Sequence, residues 1–197
     1  MKFLVGYIFL MISALSISSI AHADIEIQLL DAIEARDVKL TKSLIINNEG
    51  LNLNYEINGS PLLLAIKNKD VELVEFLLAH KADSNYSGLY YYLPIQLAIL
   101  LKNNEIVKLL IDNNVLLNER MPGVFGHTPV ILASESGDIE LLKMLTTAGA
   151  SINKLDKENR HAMSWAARNG HLDVVKYLVD LNVDINLQDI NKMTAMD

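Results

Sequence analysis

Apolar and polar residues follow a helical spacing across residues 126–153, which predicts two short helices joined by a turn. Thr128 and Pro129 open the first helix, because proline fits the first helical turn, where no amide donor is needed. Gly137 ends it, since glycine accepts the left-handed conformation that stops a helix. The second helix carries one apolar face, formed by Ile139, Leu141, Leu142, Met144 and Leu145. Such a unit is too small to bury its own core.

The same pattern recurs along the chain at a nearly constant interval. One marker is the alanine of the first helix, whose copies are Ala32, Ala65, Ala98, Ala133 and Ala166. The other marker is the asparagine after the second helix, whose copies are Asn54, Asn85, Asn118, Asn153 and Asn186. The alanine steps are 33, 33, 35 and 33 residues, and the asparagine steps are 31, 33, 35 and 33. The agreement of the two markers indicates an array of repeats that stack to share a core.

Each first helix opens with a related hexapeptide, which is clearest at residues 128–133 and reads Thr-Pro-Val-Ile-Leu-Ala. Weaker copies occupy residues 60–65, 93–98 and 161–166. Together with a period of ~33 residues, a β-turn and two helices per copy, this motif resembles the Thr-Pro-Leu-His-x-Ala signature of the ankyrin-repeat family. The resemblance runs from about residue 27 to the end. It implies an all-α solenoid of stacked helix–turn–helix units joined by short β-hairpin loops.

The chain departs from the family pattern at several positions. None of the four hexapeptides keeps the histidine of the motif. Lys69 and Lys102 stand where repeats four and five have the glycine that ends the first helix, and Lys81 stands where repeat four has Gly149 after the second helix. Lysine tolerates the left-handed conformation less well than glycine or asparagine. We therefore expect repeats two and three to be less stable than repeats four and five.

Residues 1–23 have the pattern of a secretory signal peptide. Lys2 supplies a short positive region, an uncharged and mostly apolar run follows, and Ala21-His22-Ala23 matches a cleavage site. Cleavage would make Asp24 the first residue of a periplasmic protein in a Gram-negative bacterium. The alternative is an uncleaved anchor, since the apolar run approaches the ~20 residues that span a bilayer.

Residues 24–197 are predicted to form one ankyrin-repeat domain. Its repeats fall at about 24–54, 55–87, 88–120, 123–155 and 156–188, followed by a partial copy at 189–197. The first repeat has the charged exterior of a cap, with Asp31, Glu34 and Lys39 toward solvent. The partial copy lacks its second helix, which we interpret as truncation of a longer protein rather than a natural half-repeat, because an uncapped repeat exposes apolar surface.

Charge and composition exclude several partners. Removal of Lys2 leaves 16 of the 17 basic residues against 24 acidic ones, a net charge of −8. An acidic surface does not favour nucleic acids or anionic membranes. The chain has no cysteine, so it has neither a disulfide nor a lipidation site of that kind. We expect a soluble mature chain that is monomeric when unbound and has no membrane association.

No catalytic motif is present, and we expect neither a cofactor nor a metal. The histidines of the mature chain lie at non-equivalent repeat positions and are interpreted as surface or capping residues; they are His80, His127, His161 and His171. Trp165 occupies a core position of the hexapeptide. The acidic pairs Glu34 with Asp37 and Glu135 with Asp138 are interpreted as solvated faces.

The family resemblance implies protein binding through the loop tips and the exposed side of each first helix. The candidate binding residues are apolar or aromatic and lie in repeats three and four, together with one histidine; they are Leu89, Tyr90, Tyr92, Leu100, Leu101, Val124, Phe125 and His127. The flanking repeats supply a predicted charged rim of Glu56, Lys67, Lys157, Glu158, Arg160 and Arg168. An apolar centre with a polar rim is typical of protein interfaces. The alternative is that Tyr90, Tyr91 and Tyr92 pair within the loop and shield the core.

Two functions agree with this pattern. The first is a non-enzymatic periplasmic module that binds a protein, either as an immunity protein that neutralises a toxic effector or as a helper of a periplasmic enzyme. The second is a secreted, host-directed effector that acts by the same kind of binding. The signal peptide favours the first. The partner itself is not identified by the sequence.

Overall fold

The computed structural model describes residues 24–48, 50–54, 60–87, 92–122 and 125–197. Within these ranges the chain forms ten helices and no strand. Helix α1 covers residues 24–34. The others are α2 (Val38–Asn47), α3 (Pro61–Lys67), α4 (Val71–Ala79), α5 (Pro94–Leu100), α6 (Asn104–Asp112), α7 (Pro129–Ser136), α8 (Ile139–Thr147), α9 (Ala162–Arg168) and α10 (Leu172–Asp180). The predicted all-α solenoid is confirmed. The proposed signal peptide lies outside the described residues.

The helices form two stacked layers. The inner layer holds the first helix of each repeat, with α3 packed on α5, α5 on α7 and α7 on α9. The outer layer holds the second helices, with α4 on α6 and α8 on α10. Each of these four inner helices also packs against the outer helix of its own repeat. The marker alanines, one in each inner helix, are all buried, because a small side chain lets neighbouring inner helices approach closely.

Local sequence fixes where the helices begin. Pro61, Pro94 and Pro129 occupy the first turn of their inner helices. The outer helices of the first four repeats are capped by a side-chain oxygen that accepts a hydrogen bond from a backbone N–H of the first turn; the caps are Asp37, Asp70, Asn103 and Asp138. Asp37 and Asp138, which were predicted to be merely solvated, are therefore structural.

Left-handed residues separate the helices, as the sequence predicts. After the inner helices Lys69 and Lys102 have φ of 58° and 55°, against 74° at Gly137. Lysine therefore adopts the left-handed conformation at both positions where repeats four and five have glycine. The relative stability of the repeats stays a prediction.

The asparagine marker has a physical explanation. The side-chain oxygens of Asn54, Asn85 and Asn118 each accept a hydrogen bond from a backbone N–H in the following repeat, at 2.8, 2.7 and 2.7 Å. These bonds link consecutive repeats at the ends of their outer helices. An aliphatic side chain at the same position would leave an amide of the next repeat without that acceptor.

The first repeat has the predicted character of a cap. Leu29, Leu30 and Ile33 of α1 are buried, while Asp31 and Glu34 are exposed. The acidic residues therefore face solvent at the end of the stack, as a terminal repeat requires.

Candidate functional site

The structure places the predicted binding residues of repeat three in different environments. Leu89 and Tyr90 lie outside the described residues. Tyr92 is half-buried just before α5, and Leu100, the last residue of α5, is 47% exposed. Leu101 is half-buried and packs against the hydrophobic core, so it stabilises the fold and is only partly available to a partner.

Leu101 occupies a position that has a polar role in other repeats. Its counterparts Asn68 and Asn169 donate side-chain hydrogen bonds to the carbonyl oxygens of Ile33 and Glu135 in the preceding repeats, at 3.1 and 3.2 Å. Repeat three thus has an apolar side chain where repeats two and five have a polar bridge. Leu100 lies beside it, and the centre of the inner surface is apolar.

Phe125 lies at the tip of repeat four and is 39% exposed. Its ring stacks on His127, with centroids 5.6 Å apart, and meets Trp165 edge-on at 5.5 Å. The guanidinium carbon of Arg160 lies 4.8 Å from the same ring. The neighbouring predicted residue Val124 lies outside the described residues. We call the group Phe125, His127, Arg160 and Trp165 the aromatic cluster.

Arg160 does not belong to the charged rim, and this part of the prediction is wrong. It is only 8% exposed. Its guanidinium lies between two rings, 4.8 Å from Phe125 and 4.2 Å from Trp165. Nε pairs with the Asp156 carboxylate at 3.0 Å, and Nη1 pairs with Glu158 at 2.9 Å. Cation–π contacts and two carboxylates offset the cost of burying this charge.

Asp156 holds Arg160 and Trp165 of the cluster in place through hydrogen bonds, and the sequence analysis did not identify this residue. Its buried carboxylate accepts hydrogen bonds from the backbone N–H of Glu158, from Nε and the backbone N–H of Arg160, and from the indole N–H of Trp165. Burial alone would raise the pKa of Asp156, but these hydrogen bonds outweigh it and hold the pKa below its ordinary value. The available signal was its spacing: Asp189 lies one period later and closes a similar loop with the N–H groups of Asn191 and Met193.

His127 is buried rather than on the surface, which corrects both its assignment to the binding residues and its interpretation as a surface or capping histidine. It is 9% exposed, and its ring lies 4.5 Å from Trp165, edge-on. Nδ1 lies 3.2 Å from Oε2 of Glu135, so Glu135 is a partner of this imidazole rather than part of a solvated pair. Burial lowers the pKa of His127, and the carboxylates of Glu135 and Asp156 offset part of that effect.

His80 and His161 agree with their interpretation, whereas His171 is half-buried and makes no side-chain cap. His80 is exposed at the end of α4, and His161 caps α9 by accepting a hydrogen bond from the backbone N–H of Ser164. His171 precedes α10, and its Nε2 lies 2.9 Å from the carbonyl oxygen of Glu135. Trp165 is buried, as predicted.

The tips of neighbouring repeats are joined through their backbones. Met121 N–H donates to the carbonyl oxygen of His127 at 2.8 Å and closes the loop of repeat four. Lys157 N–H then donates to the carbonyl oxygen of Phe125 at 2.7 Å. The tips of repeats four and five are therefore held side by side, and Phe125 is fixed by both its backbone and its ring.

The inner helices end in one row of equivalent residues, formed by Lys67, Leu100, Glu135 and Arg168. Glu135 pairs with His127, and the guanidinium of Arg168 lies 5.7 Å from the Trp165 ring. Glu135 and Arg168 of this row thus belong to the same surface as the aromatic cluster. In the part of the chain that the structure describes, no carboxylate lies within 4.0 Å of the cations of Lys67 or Arg168.

The side chains at this surface are suited to non-covalent binding of a partner. No group of three or more histidine or acidic side chains in the described ranges could hold a metal ion. Among the described helices, none is long and apolar enough to cross a membrane. The surface offers an exposed aromatic ring, an exposed leucine and two cations on a fixed backbone.

These features define a helical-repeat protein whose paired helices stack in two layers. The family model for ankyrin repeats in three copies matches residues 29–121 and again residues 95–189, and the chain therefore belongs to the ankyrin-repeat family. Proteins of this family generally bind other proteins through their repeats, and the repeat is typically not an enzyme.

Individual relatives share only a stretch of repeats. The chain is 36% identical over 75 residues to alpha-latroinsectotoxin-Lt1a of Latrodectus tredecimguttatus, covering 38% of this chain and 5% of the toxin. It is 40% identical over 57 residues to an L-asparaginase of Dirofilaria immitis, covering 29% and 10%. It is 34% identical over 73 residues to ankyrin repeat and SAM domain-containing protein 6 of Rattus norvegicus, covering 36% and 8%. The chain thus spans a tenth or less of these relatives.

Proposed function

We propose that this chain is a non-enzymatic module that binds another protein through the inner surface of repeats three to five. The observation that carries the proposal is Phe125, an aromatic side chain that is partly exposed yet held by Arg160, His127 and Trp165. A side chain already fixed before binding loses little entropy on association. Aromatic anchors of this kind contribute much of the affinity in protein interfaces.

The residues around Phe125 support the same assignment. Leu100 adds exposed apolar area in the row of inner-helix ends, and Tyr92 lies just before the same helix. Lys67 and Arg168 stand at either end of that row and supply a positive rim in a chain of net negative charge. A partner that places an apolar side chain against Phe125 and a carboxylate near Arg168 fits this arrangement.

The cellular setting of the proposal rests on residues 1–23. Their signal-peptide pattern supports export to the periplasm, where the chain would act as an immunity protein or as an accessory of a periplasmic enzyme. Cell fractionation followed by intact-mass measurement tests this: a periplasmic product beginning at Asp24 supports it. A membrane-bound product that retains residues 1–23 indicates an anchor, and delivery into another cell indicates the effector role.

Binding is tested with three single variants of the mature chain. The partner is first captured by the wild-type chain, identified, and purified for calorimetric titration. Phe125→Ala and Leu100→Ser should each weaken binding, and loss of an anchor worth about 2 kcal/mol corresponds to roughly 30-fold. Leu172→Ser is the matched control, since Leu172 lies on outer helix α10 and is 61% exposed. Equal affinity for all four chains contradicts the proposed surface.

A further inference from the structure

Within the described residues, two side chains of the aromatic cluster have a buried polar atom without a hydrogen-bond partner, Nε2 of His127 and Nη2 of Arg160. Nε2 of His127 has no hydrogen-bond partner in the described part of the chain, although Nδ1 lies 3.2 Å from Glu135. The neighbouring Glu135 carboxylate favours the proton on Nδ1, so Nε2 of the neutral ring is an acceptor without a donor. An unsatisfied buried polar atom costs free energy and calls for an explanation.

A second proton would have to enter at Nε2 of His127, and two guanidinium groups already lie in the same cluster of rings. Arg160 shares both Phe125 and Trp165 with the imidazole, and a new charge on His127 would lie beside that guanidinium. Arg168 approaches Trp165 from α9.

Carboxylates and polar groups face the ring as well. Glu135 of α7 and Asp156 at the tip of repeat five favour the charged ring. Glu158 is engaged by Arg160, and His171, before α10, contacts the backbone carbonyl of Glu135. Because His127 is buried, the desolvation of its charged form outweighs these attractions.

We propose that His127 is an acid-sensitive latch, which holds Phe125 in place while the imidazole is neutral and loosens the tip of repeat four when the imidazole gains a proton. The tip is attached through two backbone bonds, from Met121 to the carbonyl of His127 and from Lys157 to the carbonyl of Phe125. A charged ring that moves toward water would strain both bonds. Acid would then weaken the proposed protein-binding surface, and only this last consequence rests on the proposed function.

The direction of the pH effect follows from the burial. The pKa of His127 in the folded chain lies below the ordinary value of 6.5 that the unfolded chain has. The unfolded state therefore takes up the proton first. The stabilisation due to the neutral ring is complete above about pH 6.5 and is lost as the pH falls through the folded pKa.

Trp165 gives a direct readout, because it is the single tryptophan of the chain and lies 4.5 Å from His127. A protonated imidazole quenches a neighbouring indole more than a neutral one does. Fluorescence of the isolated mature chain, titrated from about pH 7.5 to about pH 5, should show one transition with a midpoint below 6.5. His127→Gln should lose the transition. His161→Asn should keep it, since asparagine preserves the helix cap and removes the other histidine nearest Trp165 in the chain.

A second variant keeps the test decisive if His127→Gln does not fold. Glu135→Gln removes the carboxylate that favours the charged imidazole, so the midpoint should move to lower pH. Amide exchange of Met121 and Lys157 should accelerate through the same transition in the wild type. A midpoint at or above 6.5, a transition that survives in His127→Gln, or one that does not move in Glu135→Gln would overturn the latch. All these measurements use the chain without a partner, so failure of the proposed binding function would leave them unchanged.

Discussion

Lys81 and Gly149 occupy the same position in repeats two and four, one residue after the C-cap of an outer helix, and both are left-handed, with φ of 70° and 92°. Asn114 and Asn182 take the same conformation in repeats three and five. A residue with a β-carbon is strained in the left-handed conformation, by about 1–2 kcal/mol. Repeat two thus accepts a lysine where the backbone favours glycine.

Lys81→Gly should stabilise the fold. Glycine relieves the strain but gives the unfolded chain more conformational entropy. The first effect is the larger one, and we expect a net gain of up to about 1 kcal/mol in the free energy of unfolding. Urea denaturation measures it. Gly149→Ala is the reciprocal control and should lose a similar amount, since nothing lies within 4 Å of an added β-carbon there to cause a clash. No change in either variant would contradict the strain argument.

Asn118→Ala should destabilise the junction between repeats three and four. The side-chain oxygen of Asn118 accepts a 2.7 Å hydrogen bond from the backbone N–H of Ser151, and its loss leaves that amide without this acceptor. The expected cost is about 1–2 kcal/mol in chemical denaturation. Asn153→Ala is the comparison at the equivalent but exposed position and should cost less. Equal losses would show that the inter-repeat bond is not the cause.

Asp156→Asn should cost about 3 kcal/mol, because it removes one partner of a buried ion pair with Arg160. Asp189→Asn, in the equivalent loop one period later, lacks that partner and should cost less.

The pH dependence of Asp156→Asn is a separate prediction. The pKa of Asp156 is lower in the folded chain than its ordinary value of 3.8, so its contribution to stability is complete above that value and is lost as the pH falls through the folded pKa. Denaturation curves at decreasing pH should therefore show less acid destabilisation in the variant below about pH 4. An identical acid limb in both chains would exclude Asp156 as the group responsible.

Leu101→Glu should unfold the chain more easily than Leu100→Glu, although the two residues are neighbours. Leu101 packs against the core, and burial of a carboxylate there should cost about 2 kcal/mol or more. Leu100 is largely exposed and should change stability by about 0.5 kcal/mol or less. Thermal unfolding distinguishes them. Similar losses in both variants would mean that Leu100 is also part of the core.

The fold could be predicted well from the sequence because the same residue pattern occurs in every repeat. The alanine and asparagine markers fix the register, and the structure shows a physical role for each: Ala133 is buried in the inner layer, and Asn118 bonds across repeats. Left-handed lysines were also predictable, since Lys69 and Lys102 stand where other repeats have glycine.

The candidate site was less predictable, because it depends on contacts between repeats. Arg160 and His127 are polar and were expected at the surface, but Trp165 and Asp156 provide a ring and a carboxylate that compensate for their burial. The hydropathy of a residue does not reveal such compensation. The only sequence signal for the structural role of Asp156 was its separation of 33 residues, one repeat period, from Asp189.

The central claim is that a protein partner contacts the inner surface at Leu100 and Phe125. The most direct measurement is photo-cross-linking in the native cell, with a benzoyl-phenylalanine placed at position 100, 125 or, on the outer helix, 172. The account predicts a covalent adduct with one and the same protein from positions 100 and 125, and none from position 172. Adducts from position 172 alone, or the same adducts from all three positions, would contradict it.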